Sequence, residues 1–323
     1  MQVKPHGGAL PMRVGTRGSP LARMQTGLFL AELRAACPAL GFAPEAFVEH
    51  VITTTGDQVQ DKRLADIGGK GLFAKEIHEA LADGRIDFAV HSLKDLETEL
   101  PPGIILACTM RREDARDVLI LRDGLGPVDP ADPWAALPAH AGIGTASMRR
   151  QAQLLHARSD LRVSLLRGNV RTRLDRARGG LVDATMLALA GLRRLGLEEQ
   201  ASAVLDPEAM VPAAGQGIVG ITVREADVRL AELLAAIEDP EAKAVSTAER
   251  ALLAALDGSC RTPIGGHARL LPDGALHLTG LVARGDGSFL LKRSEVAAAA
   301  DAARLGAELG ASLRRDCPGD IFD

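Results

Sequence analysis

Lys94 and Asp95 stand side by side directly after a short apolar run, and their types suit them to charge and proton chemistry. A carboxylate and an ammonium group are typical participants in proton transfer and in stabilising charge that develops during a reaction. The alternative is a surface ion pair, because most exposed lysines and aspartates are simply solvated. The pair alone favours this second interpretation, so the rest of the chain must decide.

Arginines form a second set of residues whose type could serve binding or catalysis. Residues 145–196 carry eleven Arg against three Asp, a balance of +8, whereas residues 197–323 carry twelve basic and twenty acidic side chains, a balance of −8. Arginine supplies every basic side chain of the first segment, and its planar fork binds carboxylate or phosphate in a bidentate manner. The middle of the chain therefore predicts a polyanionic partner.

The arginines of this segment recur where a strand turns into a helix. The first helix begins at Thr145 or Ser147, and the arginines at the three successive turns are Arg149 and Arg150, then Arg167, Arg171 and Arg173, then Arg193 and Arg194. A cation at a helix N-terminus opposes the helix dipole unless an anion is bound there. The repetition favours a focused cationic cleft over a solvated surface.

The stretch 68–103 must position Lys94 and Asp95. Its glycines at 68, 69 and 71 predict a loop, and the spacing of apolar residues predicts a helix over 72–81. Residues 86–90 then have the pattern of a short, buried parallel strand. Ligands bind beyond the carboxyl ends of strands in open α/β sheets, which is where the pair lies.

Two predicted helix starts nearby are suited to an anion. Residues 13–18 predict a strand and a turn, and Ser19 is the expected N-cap of the next helix, so Arg17 and Ser19 add a guanidinium and a hydroxyl to free backbone N–H groups. Lys70 and Lys75 flank the first turn of the 72–81 helix, where cations again suggest a bound anion. An ordinary capped helix and a solvated face are the alternatives at these two places.

The last third of the chain changes character. Turn signals separate three strand-like runs near 267–271, 276–283 and 289–293, and a helix rich in Ala and Leu follows, which predicts a small antiparallel α+β domain. Cys260 precedes this sheet in a loop bounded by glycines. The neighbouring Arg261 would lower the pKa of the Cys260 thiol and favour the thiolate.

Composition excludes several classes of protein. A chain of 323 residues is long enough for two or three domains. It has no apolar run of membrane-spanning length and residues 1–13 lack the apolar stretch of a secretory signal, so we expect a cytoplasmic protein without a membrane partner. Only 2% of its residues are aromatic and none is Tyr, which removes the stacking platforms of single-stranded nucleic-acid binders. The remaining cysteines are widely spaced and predict buried, reduced thiols and no metal site: Cys37, Cys108 and Cys317.

Ten short motifs, in order along nearly the whole chain, resemble those of the porphobilinogen deaminase family, whose members are also called hydroxymethylbilane synthases. They are VGTRGSPLA, TTGD, GGKGLFAKEI, AVHSLKDL, CTMRREDARD, GTASMRRQ, LRGNVRTRLDR, ALAGLRRLGL, PAAGQG and GSCRTPIGG. Each is weak alone, but ten in sequence make coincidence implausible. The resemblance implies an α/β fold of three domains: two like type II periplasmic binding proteins that enclose a cleft, and a small C-terminal α+β domain with a three-stranded antiparallel sheet.

The resemblance also implies a division of the chain. A flexible N-terminal extension would cover 1–12, a discontinuous first domain 13–114 and 213–237, an Arg-rich second domain 115–212, and a third domain with the cysteine 238–323. The chain would cross between the first two domains twice. A monomer is expected from the resemblance alone.

The activity that the resemblance implies is a polymerisation. The family condenses four porphobilinogen molecules head to tail, with release of ammonia, on a dipyrromethane cofactor held by a thioether to a loop cysteine, and then hydrolyses off the linear tetrapyrrole. Cys260 matches that cysteine. Each pyrrole carries an acetate and a propionate, so the growing oligopyrrole chain accumulates carboxylates that would occupy the arginines.

Asp95 matches the catalytic carboxylate of the family, with Lys94 beside it. Loss of ammonia leaves an electrophilic, cationic azafulvene, which an ionised carboxylate can stabilise, and Lys94 would help to keep Asp95 ionised. The residues that match cofactor- and substrate-binding groups are Arg17, Ser19, Lys94, Arg149, Arg150, Arg167, Arg173 and Arg194, with Phe73 and Gln216 as lesser candidates and Lys70 and Lys75 as loop contributors.

Four positions depart from the family pattern. Leu93 and Glu97 replace the more usual Met and Pro, Arg23 stands where an apolar residue is common, and Arg171 is an additional charge. These departures bear on local packing and on the path of the substrate chain, not on the reaction class.

Two hypotheses of non-enzymatic function are alternatives to the hypothesis that the protein is an enzyme. A noncatalytic anion-binding module of the same two-lobed fold would explain the arginines but neither Asp95 nor the Cys260 loop. A nucleic-acid-binding role is disfavoured, because the arginines lie at strand-to-helix turns and not along one continuous face.

Overall fold

A computed structural model describes residues 11–40, 46–58, 71–256 and 262–322, with backbone only for 37–40. The described residues fall into two compact units. Unit 1 comprises those within 1–59, 69–112 and 218–243, and unit 2 those within 113–217 and 244–323. The chain therefore leaves unit 1 after residue 112 and returns to it at residue 218.

Unit 1 is built on a five-stranded mixed sheet. Its strand order is 2-1-3-10-4; the first strand is parallel to the second and third, and the tenth is antiparallel to its two neighbours. The elements are β1 Met12–Arg17, α1 Pro20–Leu40, β2 Phe47–Ile52, α2 Thr55–Gln58, α3 Lys75–Ala82, β3 Phe88–Ser92, β4 Ile104–Thr109, β10 Val219–Arg224 and α7 Val228–Ala235.

Apolar residues on β3 and β10 are buried along almost the whole strand, as in strands covered on both faces. Phe88 of β3 lies at the centre of the core, with its ring centroid 5.9 Å from that of Phe29 on α1 and 6.0 Å from that of Phe47 on β2. Because β1 and β3 are parallel neighbours, both end at the same edge of the sheet. That edge carries Arg17 and the turn that follows β3.

Unit 2 contains a second five-stranded mixed sheet of the same design. Its order is 7-6-8-5-9, again with three parallel strands at one side and an antiparallel strand between the third and fifth positions. Two five-stranded sheets of the same design, each with helices, confirm the predicted pair of α/β domains. The elements are β5 Asp117–Leu121, β6 Gly142–Gly144, α4 Met148–Ala157, β7 Arg162–Ser164, α5 Val170–Arg178, β8 Ala184–Ala188, α6 Leu189–Arg194 and β9 Ala203–Val204.

The third sheet is small and antiparallel, as predicted, with the order 11-12-13. Its strands are longer than the sequence pattern indicated. The last helix approaches the preceding one closely at Gly306 and Gly310, where a side chain would collide with backbone atoms. The elements are α8 Pro240–Ala255, β11 Ile264–Leu270, β12 Ala275–Ala283, β13 Leu290–Ala298 and α9 Ala302–Asp316.

The predicted boundaries need one correction. Met12, assigned to a flexible N-terminal extension, is buried at the start of β1, because its side chain belongs to the core of unit 1. Residues 1–10 of that extension lie outside the described residues. The other boundaries of the three predicted domains stay a prediction. Within the described chain, no helix is long and apolar enough to cross a membrane.

Candidate active site

Asp95 lies beyond the carboxyl end of β3, as predicted. A single 3-10 turn, Leu93–Asp95, follows that strand. Leu93 is buried, and its N–H donates to the carbonyl oxygen of Ile218 at 3.0 Å, so the turn is fixed by both side chain and backbone. Lys94 is exposed and Asp95 is partly exposed. The sheet therefore presents the Asp95 carboxylate on a well-held turn with access to solvent.

The guanidinium of Arg17, the last residue of β1, lies beside Asp95. Arg17 Nη1 is 3.8 Å from Asp95 Oδ2. On its other side Arg17 binds Asp57 of α2, with Nη2 donating to Oδ1 at 2.5 Å and Nε donating to Oδ2 at 3.2 Å. The Phe73 ring stacks on this guanidinium, with its centroid 4.0 Å from Cζ. We call these four residues, Arg17, Asp57, Phe73 and Asp95, the Asp95 cluster.

Asp57 is a residue that sequence reasoning missed. Burial raises the pKa of Asp57, but the hydrogen bond and charge of Arg17, together with hydrogen bonds from Thr54, outweigh burial and hold that pKa below its ordinary value. Thr54 Oγ1 donates to Asp57 Oδ2 at 2.8 Å. Asp57 therefore stays charged and fixes Arg17. The signal that could have found it is the TTGD motif, in which this aspartate is the one charged residue.

The other predicted residues of this unit occupy simpler positions. Ser19 caps α1, since its Oγ accepts a hydrogen bond from Ala22 N–H at 3.3 Å, which confirms the predicted cap. Lys75 is exposed at the first position of α3. Lys70 lies outside the described residues.

Two buried histidines of α3 and β3 were not predicted as site residues. The rings of His78 and His91 lie 5.5 Å apart, and His91 Nε2 is 3.0 Å from Thr222 Oγ1. Burial lowers the pKa of His78 to about 4, and burial, with smaller effects from His78 and Arg17, holds the pKa of His91 well below its ordinary value. Both rings are therefore neutral near pH 7.

Arg149 and Arg150 lie in the first turn of α4, which Ser147 caps. Both guanidinium groups are buried and both bind Asp117, the first residue of β5: Arg149 Nη2 donates to Oδ2 and Arg150 Nη2 donates to Oδ1, each at 2.8 Å. The anion that two arginines need at a helix start is thus supplied by the chain itself. Arg149, Arg150 and Asp117 form what we call the Asp117 cluster.

Asp117 is fully buried and was also missed by sequence reasoning. Burial raises its pKa, but the charges of Arg149 and Arg150 outweigh burial and hold the pKa well below the ordinary value. Gln216, a predicted lesser candidate, donates from Nε2 to Asp117 Oδ1 at 2.7 Å. The available signal was an acidic residue opening a buried apolar run, DVLIL, in a segment rich in arginine.

The Asp117 cluster carries more positive than negative charge. One carboxylate serves two guanidinium groups, which leaves a net charge of +1. The remaining Nη atoms bind backbone carbonyls, Arg149 Nη1 that of Val211 at 2.5 Å and Arg150 Nη1 that of Met186 at 2.8 Å. Arg150 Nε is buried and has no hydrogen-bond acceptor within the described part of the chain.

The other arginines lie around α5 and α6. Arg167 is buried just before Asn169, the N-cap of α5, and Arg173 is partly exposed in the first turn of that helix. Arg194 lies in the last turn of α6, not at a helix start as the sequence indicated, and a cation there suits the helix dipole. Its Nη2 donates to the carbonyl oxygen of Gly217 at 2.7 Å, and burial lowers its pKa.

The described residues fit a polycarboxylate cofactor in unit 2. The Asp117 cluster retains one positive charge, and the partly buried Arg194 has no carboxylate at ion-pair distance among the residues described. The Asp95 cluster has the opposite balance, since Arg17 faces two carboxylates and the net charge is −1. That balance suits an amine or a developing cation. Cys260 and Arg261 lie outside the described residues.

Comparison with known proteins gives a consistent picture. Residues 12–232 match the family described as "Porphobilinogen deaminase, dipyromethane cofactor binding domain", and residues 243–315 match "Porphobilinogen deaminase, C-terminal domain". A porphobilinogen deaminase from Nitrobacter winogradskyi is 48% identical over 301 residues, which cover 93% of this chain and 92% of the relative. A chloroplastic porphobilinogen deaminase from Oryza sativa is 47% identical over 284 residues, 88% of this chain and 77% of the relative.

Another relative matches almost end to end. The porphobilinogen deaminase of Paracoccus denitrificans is 45% identical over 313 residues, 97% of this chain and 96% of its own. Among solved structures, a periplasmic sulfonate-binding protein from Methylobacillus flagellatus aligns with 74% of this chain and 66% of its own, with a TM-score of 0.37 and 13% identity. This last likeness is too weak to bear on fold or function.

Proposed function

The chain belongs to the porphobilinogen deaminase family, and we propose that Asp95 is its catalytic carboxylate. The reaction is a transfer: four porphobilinogen molecules are joined head to tail with release of ammonia on a dipyrromethane primer, and the linear tetrapyrrole hydroxymethylbilane is then hydrolysed off. The observation that carries the role of Asp95 is its place in a cluster of net charge −1 at the carboxyl end of a parallel strand.

The Asp95 cluster suits the charge changes of each condensation. Porphobilinogen enters with an amine, and loss of ammonia leaves a cationic carbon, so an ionised carboxylate stabilises both the amine and the species that follows it. Asp95 is also exposed enough to exchange protons with the amine and with a pyrrole N–H. Arg17, held by Asp57 and Phe73, fixes the carboxylate from the side. Lys94 adds a neighbouring cation.

The carboxylates of the oligopyrrole are proposed to bind the arginines of unit 2. Arg150, Arg167, Arg173 and Arg194 are the proposed ligand-binding groups there, and the net charge of the Asp117 cluster and the partly buried guanidinium of Arg194 support this. Arg149 and Gln216 contribute by holding Asp117. Ser19, Lys70 and Lys75 are proposed as further contacts from unit 1.

The cofactor is proposed to be attached through a thioether to Cys260. When bound, dipyrromethane supplies the pyrrole end on which the chain is built. The match of residues 12–232 to a dipyrromethane cofactor-binding domain supports the cofactor itself, and the motif GSCRTPIGG supports its attachment to Cys260. We also propose a cytoplasmic monomer that binds neither membrane nor nucleic acid. Cys108 and Cys317 form no disulfide bond with each other or with another described residue.

Asp95→Asn tests the assignment directly. The amide keeps the shape of the side chain but removes its charge and basicity, so kcat should fall by about 10²–10⁴-fold while thermal stability and cofactor loading stay unchanged. The measurement is steady-state product formation from porphobilinogen. Asp83→Asn, an exposed change at the end of α3, is the control and should keep full activity. Near-normal turnover in Asp95→Asn would show that Asp95 is not the catalytic carboxylate.

A further inference from the structure

Glu97 lies two residues after Asp95 and packs against the turn that precedes α3. Its side chain is 11% exposed, and its Oε2 is 3.9 Å from Nδ1 of the buried His78. Its Oε1 fills the space that a Cβ on Gly71 would take. Gly71 has a φ of 76°, which favours glycine independently of that contact. Glu97 therefore joins the turn that carries Asp95 to residue 71.

The segment 71–73 places Phe73. Gly71 accepts hydrogen bonds at its carbonyl oxygen from the N–H groups of Ala74 and Lys75, both at 2.8 Å, which sets the start of α3. Leu72 accepts one from Gly56 N–H at 2.9 Å. The Phe73 ring also fills the space where a side chain on Gly56 would stand. The segment is thus held by Glu97 at residue 71 and by Gly56 at the next two residues.

These contacts form a closed series of residues that starts and ends at Asp95. From Asp95 the backbone leads to Glu97, the Glu97 carboxylate contacts Gly71, and Phe73 stacks on Arg17 at 4.0 Å. Arg17 then returns to Asp95 at 3.8 Å. A change in the Glu97 side chain consequently reaches Asp95 along two routes, through the turn itself and through Phe73 and Arg17.

We propose that Glu97 is a positioning residue for the condensation reaction, with its carboxylate holding residues 71–73 so that Phe73 and Arg17 fix Asp95 in its working geometry. The proposal rests on the catalytic role proposed for Asp95. It also explains why this chain has Glu97 at a position where proline is more usual in the family. A displacement of a reacting group by about 1 Å can cost about 10²-fold in rate. Even a smaller displacement of Asp95 should therefore lower the rate measurably.

The first test compares three variants of the cofactor-loaded enzyme. Glu97→Ala removes the contact and should lower kcat about tenfold with less than about a twofold change in KM, because Asp95 would be misplaced in the transition state. Glu97→Gln keeps the shape and should retain at least about half of kcat. Glu99→Ala removes an exposed carboxylate two residues further on and should behave as the parent enzyme. Equal kinetic parameters for Glu97→Ala and Glu99→Ala would overturn the proposal.

The second test does not depend on activity. Amide hydrogen exchange of a peptide covering 71–76 should speed up about tenfold in Glu97→Ala and stay unchanged in Glu97→Gln and Glu99→Ala, because only the first releases Gly71. The same measurement in an Asp95→Asn background reports on the contact between Glu97 and Gly71 whether or not Asp95 is catalytic, so the two proposals can fail separately. If kcat falls in Glu97→Ala without faster exchange at 71–76, the contact with Gly71 is not the cause and the proposal fails. If Glu97→Ala does not fold, Glu97→Asp, which shortens the side chain, replaces it in both tests.

Discussion

Two carboxylates, Asp57 and Asp117, determine which guanidinium groups remain for a ligand. Asp57 takes two nitrogens of Arg17, and Asp117 takes one nitrogen from each of Arg149 and Arg150. Asp117 is fully buried, and the charge of such a carboxylate is tolerated because both guanidinium groups lie at hydrogen-bond distance. The arginines that the sequence predicted as one cationic set therefore divide into those that support the fold and those whose charge is left for a ligand.

Asp117→Asn should destabilise the protein strongly. The substitution leaves two buried guanidinium groups without a carboxylate, and removing one partner from a buried ion pair costs about 3–5 kcal/mol. Urea denaturation at neutral pH measures the change in the free energy of unfolding. Arg23→Gln, which breaks the exposed pair of Arg23 with Glu49, is the control and should cost less than about 1 kcal/mol. Equal losses for the two variants would show that Asp117 does not have this role.

At the scale of elements, parallel strands bring distant residues to one edge. Arg17 ends β1 and Asp95 follows β3, and because these strands are parallel neighbours their side chains come within 3.8 Å despite the sequence distance. The same principle places Asp57 after β2, the other parallel neighbour of β1. The Asp95 cluster is therefore a product of strand direction and order, with Phe73 added from the turn that precedes α3.

Ser19→Ala should weaken the start of α1. Loss of the cap leaves the Ala22 N–H without its acceptor, and such losses cost about 1 kcal/mol. Thermal or urea unfolding gives the value. Ser19→Asp keeps a good cap and should retain stability within about 0.5 kcal/mol, yet it adds a negative charge next to Arg17 and should raise the KM for porphobilinogen. A stable Ser19→Ala protein would mean that the cap contributes little.

At the scale of the whole molecule, the chain builds two sheets of the same order and passes between them twice. The described residues of 11–58, 71–112 and 218–243 contribute to the first sheet and its helices, and residues 113–217 contribute to the second. The third sheet follows α8 and begins directly after the segment that contains Cys260. In the sequence, the proposed attachment of the cofactor thus lies between α8 and β11.

Intact-mass measurement of the purified protein tests that attachment. The parent chain should show a covalent adduct, and adding porphobilinogen should raise the mass in steps as pyrroles are joined. Cys260→Ser should show neither change, whereas Cys317→Ser, which alters a buried cysteine whose thiol donates to the Leu313 carbonyl oxygen at 2.9 Å, should keep both. An active protein with the mass of the bare polypeptide would refute the thioether.

Local patterns predicted much of this architecture. The place of Asp95 beyond β3, the Ser19 cap and the three strands of the last sheet follow from apolar periodicity and from cap or turn residues, which act over a few neighbouring positions. Of the two residues that could open α4, Thr145 and Ser147, the structure has Ser147 as the cap. Arg194 illustrates the limit. Its place at the end of α6 instead of a helix start depends on where that short helix stops, and a boundary of this kind is poorly marked in the sequence.

Residue types and motif order by themselves determined the family, and they led to the proposals of a polycarboxylate partner and of Asp95 as the catalytic residue, because chemistry restricts which side chains can serve a reaction. Only the tertiary structure decided the partners of the arginines. Asp57 lies 40 residues from Arg17, and Asp117 lies 32 residues from Arg149, and neither pairing leaves a periodic signal in the chain. Ion pairs form where separate strands and helices bring charges together in a buried place, so their partners follow from topology and packing and not from neighbouring residues.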